Sequence, residues 1–134
     1  MQTRDVLTEK RLWELEEMVA EISPEELKRK MDEGEIFHLV EVSNQNDYNS
    51  GHLPGALFIP MSKLIDEANK RFQKFEQIVI YTVESNSSAG LFAVRKLQRD
   101  GFSNVMWLKE GKAGWKNAGY PLESEKIETE TSDS

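Results

Sequence analysis

Side chains able to make and break bonds gather beside a strongly apolar run in the heptapeptide Thr82-Val83-Glu84-Ser85-Asn86-Ser87-Ser88. It carries hydroxyls and a carboxylate but no base. A serine or threonine hydroxyl becomes a nucleophile only beside a group that takes its proton, and both histidines, His38 and His52, lie elsewhere in the chain. What the stretch offers is backbone. It follows the apolar run Ile78-Val79-Ile80-Tyr81 and leads into a helical pattern over 89–99. A strand-loop-helix turn of this kind aims free N–H groups into one small space at the positive end of the helix dipole. The arrangement is that of an oxyanion pocket. Thr82, at the strand's end, stands where a nucleophile is expected, and the loop serines have a sufficient role as helix caps.

The absence of cysteine from all 134 residues excludes disulfides, Cys-ligated zinc, iron–sulfur clusters and thiol catalysis together. Two histidines would need carboxylates to complete a metal site, so neither metal nor cofactor is expected. His38, inside an apolar run, reads as a satisfied or edge-exposed histidine rather than a ligand. His52 invites a general-base role, yet its setting between Gly51 and Pro54 favours a ring that hydrogen-bonds backbone and holds the turn. A net charge of -7 argues against nucleic acid or an anionic membrane surface as the main partner, since both call for clustered Lys and Arg. No apolar run is long enough to span a bilayer, and Met1-Gln2-Thr3-Arg4-Asp5 opens without a signal-peptide core, so a cytoplasmic protein is expected. The partners left open are another protein or a small oxyanion.

The elements that would hold the loop follow from hydrophobic period and punctuation. Residues 4–20 place Leu12, Leu15 and Val19, with Val6, Trp13 and Met18, at helical spacings. This helix either packs on the domain or a neighbouring copy, or serves as a dedicated partner-binding element. Ser23-Pro24-Glu25-Glu26 starts a second helix, with Ser23 as cap and Glu26 completing a capping box, Leu27 and Met31 on its buried face and Gly34 as a left-handed stop. The run 36–42 is a strand interior to a sheet. The polar residues 43–50 form a loop or one helical turn, and Gly51-His52-Leu53-Pro54-Gly55-Ala56 a tight, rigid turn. A short strand over 56–59 stops at Pro60, and a helix over 61–72 buries Leu64, Ile65 and Ala68. Residues 78–81 read as a strand buried on both faces. The helix after the loop ends at Gly101, a strand covers 104–108, and a last short helix over 110–118 carries Trp115. Everything after Glu123 is too polar to pack and reads as a disordered acidic tail over 124–134.

Strands alternating with helices predict a parallel α/β sheet with its site at the carboxyl ends of the strands, here Val42-Ser43 and Tyr81-Thr82. In order of elements, and in three motifs, the chain resembles the rhodanese-like domain. The motifs are Glu41-Val42-Ser43 followed by Tyr48 and Gly51-His52-Leu53-Pro54-Gly55-Ala56; Ile78-Val79-Ile80-Tyr81 running into 82–88; and Trp107-Leu108-Lys109-Glu110-Gly111 with Trp115, Gly119 and Pro121. The resemblance covers roughly 22–123, leaving 1–21 as an additional N-terminal helix. It implies a three-layer α/β fold with a central, mainly parallel five-stranded sheet flanked by helices.

It also implies what the loop lacks. Rhodanese-like sulfurtransferases carry a cysteine at the start of this loop, take up a sulfane sulfur as a persulfide and pass it to a thiophilic acceptor. The loop's N–H groups and helix dipole lower that thiol's pKa. By the resemblance Thr82 occupies the cysteine position, Ser87 stands where the family has an arginine, and Glu41 and Ser43 stand where it has an acidic residue and an arginine. Glu84 adds a negative charge opposing an incoming anion. The expectation is a binding or regulatory module without sulfurtransferase activity. The alternatives are a sulfurtransferase whose cysteine was substituted at Thr82, hydroxyl chemistry by Ser85, Ser87 or Thr82, and a weak oxyanion binder acting through the N–H groups of 82–88.

Overall fold

Alternation along the strands decides which residues face which layer. In β2 (His38–Glu41), Val40 points to one side and Leu39 to the other; in β4 (Ile78–Tyr81), Ile78 and Ile80 share the first side, and Val79 and Tyr81 the second. The computed structural model describes residues 18–124. Within them β1 (Ala20–Glu21), β2, β3 (Leu57–Phe58), β4 and β5 (Val105–Trp107) form one parallel sheet in the order β1-β5-β4-β2-β3. The two strands with apolar runs thus lie in the interior, as fully buried parallel strands must. On one face α3 (Leu64–Arg71), entered through a 3₁₀ turn at Met61–Lys63, and α4 (Ser88–Arg99) enclose Val40, Ile80, Leu64, Val94 and Trp107. On the other, α1 (Pro24–Asp32) and α5 (Gly111–Asn117) close over Leu39, Val79, Tyr81, Leu27 and Trp115.

Most local expectations are met. Ser23 accepts the Glu26 N–H while Glu26 bonds back to the Ser23 N–H, and Gly34 turns the chain at φ +72. The 43–50 stretch is more ordered than a single turn: Asn44 caps α2 (Gln45–Ser50) by accepting the Asp47 N–H. Three readings need correction. The helix of 4–20 does not extend to its end, because Ala20 and Glu21 pair with Met106 and Trp107 as an edge strand. A two-residue edge strand with exposed side chains has no alternation to read. The rest of that helix, residues 4–17, lies outside the described residues, as does 125–134 of the acidic tail. The strand of 36–42 starts at His38, and Ile36 is 91% exposed. Ser124, read as the first residue of the tail, donates to the Asn49 carbonyl at 3.1 Å.

Candidate functional site

Thr82 follows β4 directly and sits at the carboxyl edge of the sheet, only 6% exposed. Its hydroxyl donates to the Glu84 carbonyl at 3.3 Å. The Thr82 carbonyl accepts the Lys112 N–H at 2.9 Å, and the Val83 carbonyl the Ala113 N–H at 3.0 Å. The positive end of α5 therefore clamps the loop's carbonyls. Gly111 makes this approach possible: it adopts φ +66, and a Cβ there would lie 2.5 Å from the Glu84 oxygen and 2.8 Å from that of Thr82. On the far side Asn86, in the left-handed region at φ +54, donates its N–H to the Lys109 carbonyl at 2.6 Å. Ser87 caps α4, its hydroxyl accepting the Ala89 N–H at 3.2 Å.

With its carbonyls held in this way, the loop keeps its donors. Among the described residues no protein acceptor meets the N–H groups of Val83, Glu84, Ser85 and Ser88, while Ser85 and Asn86 form a turn that brings the Ser87 N–H toward the Glu84 carbonyl. Exposed backbone donors at the start of a twelve-residue helix are attractive to an anion. The exposed Glu84 carboxylate in the same loop opposes one.

Beneath the loop lies a buried polar network centred on Glu41, one of the residues the sequence places near the site; its links to Tyr81 and Lys112 have no signature in residue spacing. Glu41, at the end of β2, is fully buried. One carboxylate oxygen accepts the Tyr81 hydroxyl at 2.7 Å; the other accepts the Ser43 hydroxyl at 2.5 Å and the Lys112 ammonium at 3.1 Å. The same ammonium donates to the Asp47 carbonyl at 2.9 Å, and the Tyr81 oxygen accepts the Leu53 N–H at 3.1 Å. Burial, then the neighbouring Glu41 charge, pushes the Tyr81 phenol far above its ordinary value, so it serves only as a neutral donor and acceptor. This network joins β2, β4, α2, the turn at Leu53 and α5 under the loop. Ser43 therefore belongs to the support of the site. Lys112 was overlooked because a lysine in a short helix reads as surface; the available signal was its i,i+3 relation to buried Trp115, which puts both on one face.

His52 is likewise structural in its contacts. Its ring stacks on Tyr48 with centroids 3.8 Å apart, Nδ1 lies 2.9 Å from the Tyr48 carbonyl, and Nε2 is 3.9 Å from Glu123 Oε1. Its main chain exchanges two 2.8 Å bonds with Glu123, which fastens the C-terminal strap to the turn. His38 stacks on Phe72, and its Nε2 is 3.2 Å from Glu76. Among the described residues no group of His, Asp and Glu is arranged to hold a metal ion, and no helix there is long and apolar enough to cross a membrane.

The parallel sheet, the clamped loop and the Gly51–Ala56 turn define a known architecture, and residues 23–118 match the family model of the rhodanese-like domain. The chain belongs to the rhodanese-like domain family. It is 29% identical over 105 residues to a sulfurtransferase of Allochromatium vinosum, covering 78% of this chain and 95% of that one. It is 33% identical over 102 residues to an HTH-type transcriptional regulator of Mycobacterium tuberculosis, covering 76% of this chain and 44% of the regulator. The chain spans about half the length of the first curated relatives it matches. Among solved structures, the rhodanese-like domain of the Alr3790 protein from Anabaena sp superposes with a TM-score of 0.72 at 32% identity, covering 80% of each chain. A Bacillus halodurans protein at 24% identity shares the fold with a TM-score of 0.73, covering 88% of this chain and 86% of that one.

Proposed function

We propose that the chain is a cytoplasmic rhodanese-like module without sulfurtransferase activity, which acts by binding, as a regulatory element, through the face that carries the 82–88 loop. The observation that carries this is the residue at the loop's first position. Thr82 stands where the family's sulfurtransferases hold their cysteine, the chain has no cysteine at any position, and the Thr82 hydroxyl is turned to the Glu84 carbonyl. An alcohol cannot carry a persulfide, and its proton is far harder to remove than a thiol's. The changes around it support the same reading: Ser87 is a cap and Ser43 a donor to Glu41, so neither supplies the cation expected at those positions. A place for such a module in a larger assembly is consistent with the M. tuberculosis relative, named a transcriptional regulator, in which the matching part is 44% of the length. Incubation with thiosulfate and cyanide tests the proposal. Thiocyanate should form no faster than in buffer, and turnover well above buffer would overturn it.

A second reading has its own observation, the four loop N–H groups that find no acceptor among the described residues. They favour weak retention of a small oxyanion or a phosphorylated partner, with Glu84 limiting the affinity. Titrating phosphate while following the amide resonances of Val83 to Ser88 should shift them selectively in the millimolar range; an unmoved loop rejects this reading. The A. vinosum relative, named a sulfurtransferase, supports the remaining alternative of a cysteine replaced at position 82, which the codon of the native gene decides.

A further inference from the structure

The C-terminal strap, residues 119–124, touches two parts of the fold. Toward α5, the indole N–H of fully buried Trp115 donates to the Pro121 carbonyl at 2.8 Å, and the Tyr120 ring lies tilted on the indole with centroids 5.0 Å apart. Toward the end of α2 and the turn after it, the main chain of Glu123 is paired with that of His52, Glu123 Oε1 accepts the Gly55 N–H at 3.3 Å, and the Ser124 hydroxyl donates to the Asn49 carbonyl. Leu122 seats on the bare Cα of Gly51, where a Cβ would come within 3.1 Å of its Cδ1. The strap is thus a bridge from α5 to the turn.

The turn and α5 also meet beneath the loop, so these contacts close into a ring. Leu53 in the turn donates to the Tyr81 oxygen, Tyr81 donates to Glu41, and Lys112 at the start of α5 donates to the other oxygen of Glu41. From the same end of α5 the N–H groups of Lys112 and Ala113 hold the Thr82 and Val83 carbonyls. α5 has seven residues, too few to persist without tertiary support. Its support is the loop at one end and the strap at the other. If the strap leaves, the Trp115 N–H loses its acceptor in a buried place, and the penalty of an unmet buried donor is relieved only when the indole moves. A moving Trp115 takes α5 with it, and α5 carries the two donors that hold the loop. The other half of the domain is set apart from this ring: Tyr120 and Leu122 pack on the cluster that contains Leu53, Tyr81 and Trp115, while α3 and α4 enclose the cluster across the sheet. We propose that the strap and α5 open as one unit, ahead of the rest of the domain, and that this opening unclamps the 82–88 loop. The strap is then a latch on the loop. Such coupling is reciprocal: whatever draws the strap from His52 loosens the loop, and whatever seats on the loop holds the strap down. The inference is independent of what the loop binds.

Residue-resolved hydrogen exchange on the full chain tests the latch. The His52 amide reports the strap, those of Lys112 and Ala113 report the clamp on the loop, and those of Val42 and Phe102, bonded to the Tyr81 and Leu97 carbonyls, report the sheet and the end of α4. Leu122→Ala removes the packing on Gly51 without removing a hydrogen bond. It should speed exchange at His52, Lys112 and Ala113 by one common factor of about tenfold, with Val42 and Phe102 kept at the parent's rates. Should Leu122→Ala unfold the protein or leave every rate unmoved, the unmodified chain carries the test. Over a series of urea concentrations below the unfolding transition, His52, Lys112 and Ala113 should share one opening free energy, lower than those of Val42 and Phe102. In either experiment, His52 opening alone overturns the proposal, because the strap would then be independent of α5. So does a single opening common to all these amides, which would make the strap part of the global unit.

Discussion

Lys112 and Glu41 form an ion pair in a place nearly closed to water, the lysine side chain being 8% exposed and the glutamate fully buried. Taking two charges out of water is costly, and the pair is supported by further hydrogen bonds: Tyr81 and Ser43 donate to the carboxylate and the Asp47 carbonyl accepts from the ammonium. Removing one partner is therefore worse than removing both. Lys112→Met should destabilise the fold by about 3–5 kcal/mol, since it leaves a carboxylate buried without its cation. Adding Glu41→Gln should recover most of that loss, because the amide oxygen still accepts from Tyr81. Urea unfolding midpoints of the two variants and the parent measure this. The Thr82 position makes the complementary prediction. Thr82→Cys alone places a thiol near the positive end of α4, but with Glu84 in the same loop and no arginine at Ser87, sulfur transfer should stay far below that of Thr82→Cys with Ser87→Arg. The thiosulfate and cyanide assay compares the two, and equal rates would show that the arginine position is irrelevant.

Close approach of whole elements depends on two glycines. α4 crosses β5 so tightly that a Cβ on Gly90 would lie 2.5 Å from Trp107 Nε1, and α5 meets the loop at Gly111 under a positive φ. Gly90→Ala presses on a buried ring that has little room to move, and should cost about 1–3 kcal/mol. Gly111→Ala meets backbone oxygens, which cannot swing aside, and also takes on left-handed strain of about 1–3 kcal/mol by itself. It should be the more damaging change, with the amides of Lys112 and Ala113 losing hydrogen-exchange protection first. The elements themselves were largely legible from sequence. The largely apolar stretch 36–42 and the continuous apolar run 78–81 marked the interior strands, Ser23-Pro24-Glu25-Glu26 marked α1, and Gly51 to Ala56 marked the turn. β1 was not legible, because two exposed edge residues are held by pairing with β5 rather than by a pattern of their own. The loop's position was legible for the same reason as β4. Its support was not, because the pairing of Glu41 with Lys112 joins residues 71 apart and no spacing rule reaches that far.

At the scale of the molecule, the acidic balance gives stability a definite pH dependence. Five surface carboxyls, Glu26 and Glu35 exposed and the other three half-buried, are held below their ordinary values by native partners. They are Glu26 by the Ser23 N–H, Glu35 by Lys30, Glu67 by Arg71, Glu76 by the Gln73 N–H with His38, and Asp100 by Lys74 with Asn69. A group with a lower pKa folded than unfolded binds its proton more readily in the unfolded chain. Its contribution is therefore present above the unfolded value, 4.5 for these glutamates and 3.8 for the aspartate, and is lost as pH falls through the folded value. Each contribution is small, because these groups sit in solvent and salt screens them. They share a sign, however, and as the 24 acidic side chains are neutralised, the 17 Lys and Arg and the 2 His are left to repel one another. The urea midpoint should accordingly hold steady near neutrality and fall steeply below about pH 4.5. Asp100 provides the check on the cause: it accepts from Asn69 at 2.8 Å and Lys74 at 2.9 Å and so ties α3 to the end of α4. In Asp100→Asn the midpoint at pH 7 should drop while the midpoint near pH 3 changes little, so that the acid limb becomes shallower. An acid limb as steep as the parent's would show that general repulsion, rather than native ion pairs, sets it.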